Sequence, residues 1–390
     1  MGGKGLFTAV QETEVVKICQ DLVRIKSVNP PGDELPAAEY VASMLKKVGV
    51  EVELIQHTPT RASVLARLKS SRQLPALLYN GHLDTVPVGA EQWIHDPFRG
   101  EIAEGKIWGR GAADMKGGLA AMMVALRTLA ENQVPLRGDL ILAATAGEET
   151  NSLGATVIAE RADLGPVQAV VISEPSSNTL YVAEKGAFWL EITTYGKTAH
   201  GSMPEQGRNA VMMMVSLIHK LDKLMIPYTK HPLLGGFSRS VNTITGGIKT
   251  NVVPDQCVVT IDMRTVPGQD HRSILRQVED LIAGLGRKNP DFKASVEITN
   301  DRLPVETSPA EPVVQKFSEV ITGVTGEKPI PQGANYFSDA VAFVPALKTP
   351  MILFGPGDAN LAHQPNENVE ITKLVEAARI FTLAAAKLLQ

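Results

Sequence analysis

Two short stretches of the sequence place histidine and aspartate where they could hold a metal ion. In the first, the apolar run 77–79 leads into His82, and Asp84 follows two residues later. In the second, Asp114 stands directly ahead of a helical pattern, within the glycine-containing segment 109–118. Residues two apart on an extended segment point the same way, so Asp84 could hold the far ring nitrogen of a metal-bound His82. We therefore predict that His82 and Asp114 begin a metal site.

Both residues also have ordinary structural interpretations. His82 could be a turn histidine that is hydrogen-bonded to its neighbour. Asp114 could be a helix N-cap, although a short carboxylate that faces a helix N-terminus can still bridge metals. The glycines around Asp114 are similar to a dinucleotide-binding fingerprint, but Asp114 occupies the place of the third glycine, which excludes that interpretation.

Further metal-type side chains follow apolar runs elsewhere in the chain. Glu148 and Glu149 come after the run 140–146, Glu174 comes after 169–172, and His363 lies shortly after 351–354. Neighbouring residues at a strand end tend to face different ways, so one of the paired glutamates can bind a metal while the other addresses a water. The alternatives are a solvated acidic turn, a Glu-Pro strand end and an unremarkable loop histidine.

The apolar runs predict the elements that position these side chains. Each run is typical of a strand buried on both faces, and helical patterns lie between the runs. In open α/β sheets, ligands bind beyond the carboxyl ends of the strands. We therefore predict an α/β fold with a mainly parallel sheet flanked by helices. Near the N-terminus, helices are expected at about 13–25 and up to about 48, and strands at 50–55 and 63–68.

The pattern changes between about residues 185 and 294. Segments 191–195 and 253–263 alternate like strands, whereas 209–224 and 273–285 are helical. This order predicts an α+β layer with one sheet face open. Because buried strands resume only near residue 351, we expect a second domain that is inserted into the first.

Composition restricts the class of protein. The 390 residues suggest two domains, and 44% hydrophobic with 21% charged residues is a normal globular balance. A net charge of −4 gives no reason to expect nucleic acid or an anionic membrane as partner. The N-terminus lacks the apolar core of a secretion signal, and no window reaches the roughly 20 apolar residues of a membrane span. We expect a soluble, cytoplasmic protein in which Cys19 and Cys257 are inert core thiols.

The candidate ligands favour a particular kind of metal site. Nitrogen and oxygen ligands without cysteine suit zinc, and also cobalt or manganese. With Glu148 left aside, two histidines, one aspartate and two glutamates make five ligands, which exceed what one zinc with an open position requires. A pair of metals about 3.5–4 Å apart that share a bridging Asp114 is therefore the simplest arrangement. Serine hydrolysis is disfavoured because no Gly-x-Ser-x-Gly segment is present, and cysteine hydrolysis because both cysteines lie in apolar patterns.

At this point the chain resembles the M20 metallopeptidase family over nearly its whole length. That family includes acetylornithine deacetylase, succinyl-diaminopimelate desuccinylase, aminoacylase-1 and the glutamate carboxypeptidases. The stretches that carry the resemblance are 81–87, 109–118, 147–149, 173–176 and 362–367. The resemblance implies a zinc-exopeptidase-like catalytic domain at 1–186 and 299–390, with an inserted ferredoxin-like lid and dimerisation domain at 187–298.

The resemblance also implies a division of labour among the candidate residues. One metal would be held by His82, Asp114 and Glu174, and the other by Asp114, Glu149 and His363. Glu148 would be the general base, and Asp84 would orient His82.

In the inserted segment, residues 196–204 resemble the lid motif of the family, in which the histidine, here His200, helps to polarise the scissile carbonyl, often across a dimer interface. Asn251, Arg264 and Gly333 would contact the substrate, with Arg264 on its carboxylate. Otherwise, His200 could be a surface histidine and Arg264 could pair with Asp262. Segment 333–340 departs from the compact Gly-Thr/Ser-Asp segment of several members.

Together these features predict a di-zinc amidohydrolase that cleaves the amide bond of an N-acyl amino acid or small peptide. A metal-activated water would attack the amide carbonyl, with Glu148 as base, zinc and His200 stabilising the oxyanion, and a homodimer formed through the lid domain. A dipeptidase or glutamate carboxypeptidase of the same family is the first alternative. The remote alternative is a non-catalytic binding protein on this fold.

Overall fold

The computed structural model describes residues 3–390 and divides the chain into two compact units. The first unit comprises the chain up to Ala183 together with Glu306–Gly333 and Ser338–Gln390. The second comprises Glu184–Val305 and Ala334–Phe337. The domain bounds expected from the sequence, with the insert at 187–298, stay a prediction.

The helices are distributed along both units. Their bounds are α1 Gly3–Ala9, α2 Glu12–Arg24, α3 Leu35–Lys46, α4 Gly117–Glu131, α5 Leu153–Ala159, α6 Ala210–Asp222, α7 His271–Lys288, α8 Pro312–Thr325, α9 Ala340–Leu347 and α10 Ile371–Leu389. The strands through the end of the inserted segment are β1 Glu51–Gln56, β2 Ala62–Leu68, β3 Ala76–His82, β4 Glu101–Ala103, β5 Lys106–Trp108, β6 Leu140–Thr145, β7 Val167–Ile172, β8 Tyr181–Glu184, β9 Gly186–Tyr195, β10 Ser238–Gly246, β11 Gln256–Thr265 and β12 Lys293–Arg302. The remaining strands are β13 Val305–Glu306, β14 Gln332–Ala334, β15 Met351–Leu353 and β16 Asn368–Glu370.

A nine-stranded mixed sheet with the order β1-β2-β6-β3-β7-β15-β8-β13, and with β14 paired to β8, forms the centre of the fold. The neighbouring pairs β6–β3, β3–β7 and β7–β15 are parallel, and these four strands coincide with the four apolar runs that precede the candidate site residues. Every residue of β3 and β6 is buried, because helices contact both strands, among them α4. The predicted α/β fold with a mainly parallel sheet flanked by helices is therefore confirmed.

Two helices are held close to the central sheet, α10 by a hydrogen bond and α4 by a glycine. Tyr79, in the middle of β3, donates a hydrogen bond from its hydroxyl to the carbonyl oxygen of Phe381 in α10 at 2.6 Å. At the N-terminal end of α4, a Cβ on Gly118 would overlap the carbonyl oxygen of Ser173, which directly follows β7. Glycine thus allows the α4 backbone to lie against the strand end that carries Glu174.

The second unit contains a four-stranded antiparallel sheet with the order β10-β11-β9-β12. In the chain its elements follow one another as β9, α6, β10, β11, α7 and β12. This is the ferredoxin-like arrangement, as expected. Helices α6 and α7 cover a core that includes Met214, Leu217, Val259, Ile261 and Val278. Strands β10 and β12 were not predicted from the sequence.

Cys19 and Cys257 are both buried, as expected for core thiols. Cys19 lies on the apolar face of α2, and Cys257 lies on β11. Among the helices between Gly3 and Gln390, none is both long enough and apolar enough to span a lipid bilayer.

The burial of both thiols predicts slow modification in the native state. Burial raises the pKa of the Cys19 thiol to about 12, so the reactive thiolate is scarce at neutral pH. Titration with a chromogenic disulfide reagent should find no rapidly reacting thiol in the native protein and two after denaturation. Stoichiometric reaction of either cysteine before denaturation would contradict the structure.

Candidate metal centre

The parallel strands bring the predicted ligands to one edge of the sheet. His82 is the last residue of β3, Glu148 and Glu149 follow β6, and Glu174 follows β7. His363 lies on the long loop after β15. Because these four strands are adjacent and parallel, their carboxyl ends deliver two imidazoles and three carboxylates to the same place.

Asp114 lies between the two histidines. It belongs to a short π-helical turn, Ala112–Lys116, in which its own backbone is not helical, with φ −122 and ψ 96. Its Oδ1 is 3.1 Å from Nε2 of His82, and its Oδ2 is 3.4 Å from Nε2 of His363. Lys116, rather than Asp114, is the N-cap residue of α4, so the N-cap interpretation of Asp114 is wrong. Each oxygen of Asp114 faces a different imidazole, as a bridging carboxylate requires.

The other carboxylates complete two overlapping groups. Nε2 of His363 is 3.0 Å from Oε2 of Glu149, whereas Nε2 of His82 is 3.8 Å from Oε1 of Glu174 and 4.0 Å from Oε2 of Glu148. Possible ligand atoms lie within 4.8 Å of one another in two triplets, His82-Glu148-Glu174 and His82-Asp114-Glu149. Each triplet differs in one member from the set that the sequence predicts, so the division of roles stays a prediction.

The pocket holds its carboxylates close together and away from solvent. Burial raises the pKa of Glu148 well above its ordinary value, and the charge of Glu174 raises it further. Burial and the charge of Asp114 raise the pKa of Glu174 in the same way. Burial also opposes ionisation of Asp114, yet hydrogen bonds from the two histidines lower its pKa below the ordinary value. The pKa of His363 is raised to about 10 by its hydrogen bonds to Asp114 and Glu149. These directions describe a pocket that attracts positive charge.

The donor set fits divalent metal ions. Oε1 of Glu149 and Oε1 of Glu174 are buried and accept no hydrogen bond from any residue between Gly3 and Gln390. Buried carboxylate oxygens without a donor are costly unless a cation compensates them. Imidazole nitrogen and carboxylate oxygen, without thiolate, are ligands of zinc, cobalt and manganese.

Asp84 contacts both His82 and the glutamate turn. Nδ1 of His82 lies 3.0 Å from the main-chain carbonyl oxygen of Asp84 but 3.7 Å from its carboxylate. The carboxylate accepts the main-chain N–H groups of Gly147, Glu148 and Glu149 at 3.0, 3.2 and 3.2 Å. The predicted hold on the His82 ring is therefore made by the main chain, and the carboxylate instead fixes the turn that carries the two glutamates.

Four other charged side chains around the site have no role predicted from the sequence. Arg110 and Glu367 form a buried ion pair, with 2.6 Å between Nη1 and Oε2. Asp339 accepts a hydrogen bond from Thr145 at 2.6 Å, at the carboxyl end of β6. Lys116 donates to the carbonyl oxygen of Ile25 at 2.8 Å, and burial lowers its pKa to about 8. Arg110 and Glu367 stand inside stretches that carry the family resemblance, and a charged residue in such a stretch was the available signal.

The remaining predicted site residues are distributed over both units. In the second unit, His200 is exposed and forms a β-bridge with Val252, next to Asn251. Arg264 donates from Nε and Nη2 to Oδ2 of Asp262 at 3.1 and 3.0 Å, which is the pairing considered as its alternative. Gly333 is a half-buried residue of β14 in the first unit.

The fold and the cluster define an α/β protein with an inserted ferredoxin-like unit and a candidate dinuclear metal centre at the sheet edge. A family model described as "Peptidase family M20/M25/M40" matches residues 78–387. The chain belongs to this family. It is therefore a metal-dependent hydrolase that acts on amide C–N bonds, and the predicted family is confirmed.

Individual relatives agree with this family. A probable succinyl-diaminopimelate desuccinylase of Staphylococcus epidermidis is 29% identical over 389 residues, which cover 93% of this chain and 94% of the relative. An M20 family metallo-carboxypeptidase from Sulfolobus solfataricus has a TM-score of 0.81 at 21% identity, covering 96% of this chain and 99% of that one. A dinuclear metal binding peptidase from the M20 family of Bacillus subtilis has a TM-score of 0.74 at 16% identity, covering 97% and 98%.

The three amide contacts of Asp84 predict a large effect of Asp84→Asn on stability. The carboxamide keeps the shape but presents an NH₂ group to main-chain N–H donors, so the free energy of unfolding should fall by about 2–3 kcal/mol. Urea unfolding in the presence of a chelator measures the change without a contribution from bound metal.

The control is Asp280→Asn, an exposed carboxylate on α7, which should stay within about 0.5 kcal/mol of the unchanged protein. Equal effects of the two substitutions would show that the Asp84 carboxylate does not hold the glutamate turn.

Proposed function

We propose that this protein is a di-zinc amidohydrolase that releases the acyl group of an N-acyl amino acid or cleaves a small peptide. The observation that carries the proposal is the position of Asp114, whose two carboxylate oxygens face His82 and His363 separately. The similarity to a probable succinyl-diaminopimelate desuccinylase supports a deacylase with a small anionic substrate.

In this proposal each metal has three protein ligands. His82, Asp114 and Glu174 hold the first, and Asp114, Glu149 and His363 hold the second. Imidazole and carboxylate ligands suit zinc, with cobalt and manganese as alternatives. When bound, the two ions polarise the substrate carbonyl and lower the pKa of a water that serves as nucleophile.

Glu148 is the proposed general base. It is buried beside the ligands, and its Oε2 is 4.0 Å from Nε2 of His82. The Asp84 carboxylate accepts the main-chain N–H of Glu148, so the Glu148 carboxylate is positioned by a fixed turn rather than by a mobile loop. The carboxylate takes a proton from the attacking water and returns it to the leaving amine.

Residues of the second unit, together with Gly333, are proposed to bind the substrate. His200 would donate a hydrogen bond to the carbonyl oxygen as negative charge develops there. Nδ1 of His200 lies 2.7 Å from the hydroxyl oxygen of Ser202, which orients the ring. Arg264 would bind a substrate carboxylate through Nη1, because Asp262 engages its Nε and Nη2. Asn251 and Gly333 are the two further residues proposed to contact the substrate.

The exposed surface of the second unit supports a homodimer. Strand β10 lies at the edge of its sheet and is exposed along nearly its whole length. It presents Val241 and Ile244 to solvent, and α6 presents Met212 and Val215. Exposed apolar side chains beside an unpaired strand edge are typical of a protein interface. We propose that two copies of this chain associate through β10 and α6.

The neighbouring glutamates of one turn provide a matched test of the mechanism. Glu148→Gln should lower kcat by about 10²–10⁴-fold because the general base is lost, while the protein still binds two zinc ions per chain. Glu149→Gln should instead reduce the amount of zinc bound, because a ligand is lost. Activity on acetyl, succinyl and dipeptide substrates, together with metal analysis of each variant, measures both effects.

Full activity of Glu148→Gln, or of the protein after complete metal removal, would contradict the mechanism. Activity confined to dipeptides would favour the dipeptidase alternative, and the absence of turnover on the whole panel would favour a binding protein.

The proposed interface predicts that Ile244→Glu dissociates the dimer. Ile244 is 54% exposed on β10, and a buried charge at this edge would oppose association. Light scattering after gel filtration should give about twice 41.9 kDa for the unchanged protein and 41.9 kDa for the variant. Ile94→Glu, at a residue that is 80% exposed in the first unit, is the control that should leave the dimer intact. An unchanged protein of 41.9 kDa would disprove the dimer.

A further inference from the structure

We propose that the buried Arg110–Glu367 pair is a positioning device for the second metal, and that it sets the affinity of that site separately from the first. The proposal rests on the proposed two-metal function. It concerns residues that would touch neither metal nor substrate but that hold the main chain of two ligands, Asp114 and His363.

Glu367 fixes the turn that carries Asp114. Its Oε1 accepts the main-chain N–H groups of Ala113 and Asp114, both at 2.9 Å. Its side chain is completely buried, so no water competes for these bonds. Since the backbone at Asp114 is not helical, the turn cannot rely on a regular helical hydrogen-bond ladder. The carboxylate of Glu367 supplies the missing acceptor.

Arg110 links Glu367 to the loop that carries His363. Its Nη1 donates to Oε2 of Glu367 at 2.6 Å and to the carbonyl oxygen of Gln364 at 3.2 Å. Its Nη2 donates to the carbonyl oxygens of His363 and Pro87 at 3.3 and 3.2 Å. The rigid, planar guanidinium can reach all four acceptors at once, which a lysine ammonium cannot do.

The two metal sites differ in how strongly they need this support. His82 ends a fully buried strand, and Glu174 lies two residues beyond the buried end of another. His363 lies on a loop, has a positive φ of 64°, and its side chain is 52% exposed. A non-glycine residue in the left-handed region is held there by its surroundings. The site that contains His363 should therefore depend on Arg110 and Glu367 more than the site that contains His82 and Glu174.

The pair must act as a unit because both charges are buried. Removing one partner leaves the buried charge of the other uncompensated. The main-chain groups that the removed side chain held also lose their orientation. Residues that orient metal ligands typically change metal affinity by about 10–100-fold when they are substituted.

Calorimetric titration of metal-free protein with zinc in a chelator buffer tests the proposal. Arg110→Lys and Glu367→Gln should each keep one tight zinc site and weaken the other by about 10–100-fold. The control is Arg127→Lys, since Arg127 also forms an ion pair with a glutamate, Glu14, and donates to a main-chain carbonyl, but lies outside the metal centre. That variant should retain both sites unchanged.

The outcomes separate this inference from the proposed function. Two sites in the unchanged protein, with one weakened in each variant, support the inference. Two unchanged sites in the variants, or equal weakening of both, overturn it and leave the two-metal function standing. One site or none in the unchanged protein overturns both. If a single variant does not fold, the double variant Arg110→Gln/Glu367→Gln removes both buried charges together. The same results then support or overturn the inference.

Discussion

Four carboxylates and two imidazoles lie together in a buried pocket. The negative charge of this cluster must be balanced by positive charge, and the rest of the structure depends on that constraint. Burial and mutual repulsion raise the pKa of Glu148 and Glu174, while close carboxylates raise the pKa of His363 to about 10. Such a cluster is unfavourable unless cations balance it and rigid elements hold it. The four parallel strands supply the rigidity, because their adjacent carboxyl ends fix where most of these side chains begin.

Main-chain amides complete this support. Asp84 accepts three consecutive N–H groups of the turn that holds Glu148 and Glu149, and Glu367 accepts two in the turn that holds Asp114. In both cases a buried carboxylate that is not a proposed ligand fixes the backbone of one that is. Ligands and base are then held against their own repulsion, which is the preorganisation that catalysis at a metal centre requires.

Local sequence patterns were sufficient for the parallel centre of the sheet, formed by β3, β6, β7 and β15, and for the candidate residues at its edge. Apolar runs that lead into His82, Glu148 and Glu174 predicted buried parallel strands with polar site residues at their carboxyl ends, and the structure places these three residues there. Strand β10 was missed because alternation needs one buried face, and β10 has almost none. The contacts of Glu367 and Arg110 join segments that are more than 250 residues apart and use main-chain groups, which no local pattern contains. The contact of the Asp84 carboxylate with the glutamate turn was missed for a related reason. Its partners are main-chain N–H groups, which are present in any sequence.

The proposed mechanism requires Asp114 to bridge two metal ions. Anomalous diffraction at the zinc absorption edge, from crystals of the zinc-loaded protein, tests this most directly. Two anomalous peaks are expected about 3.5–4 Å apart, one beside each carboxylate oxygen of Asp114. A single peak, or two peaks of which either lies outside ligand distance of Asp114, would contradict it.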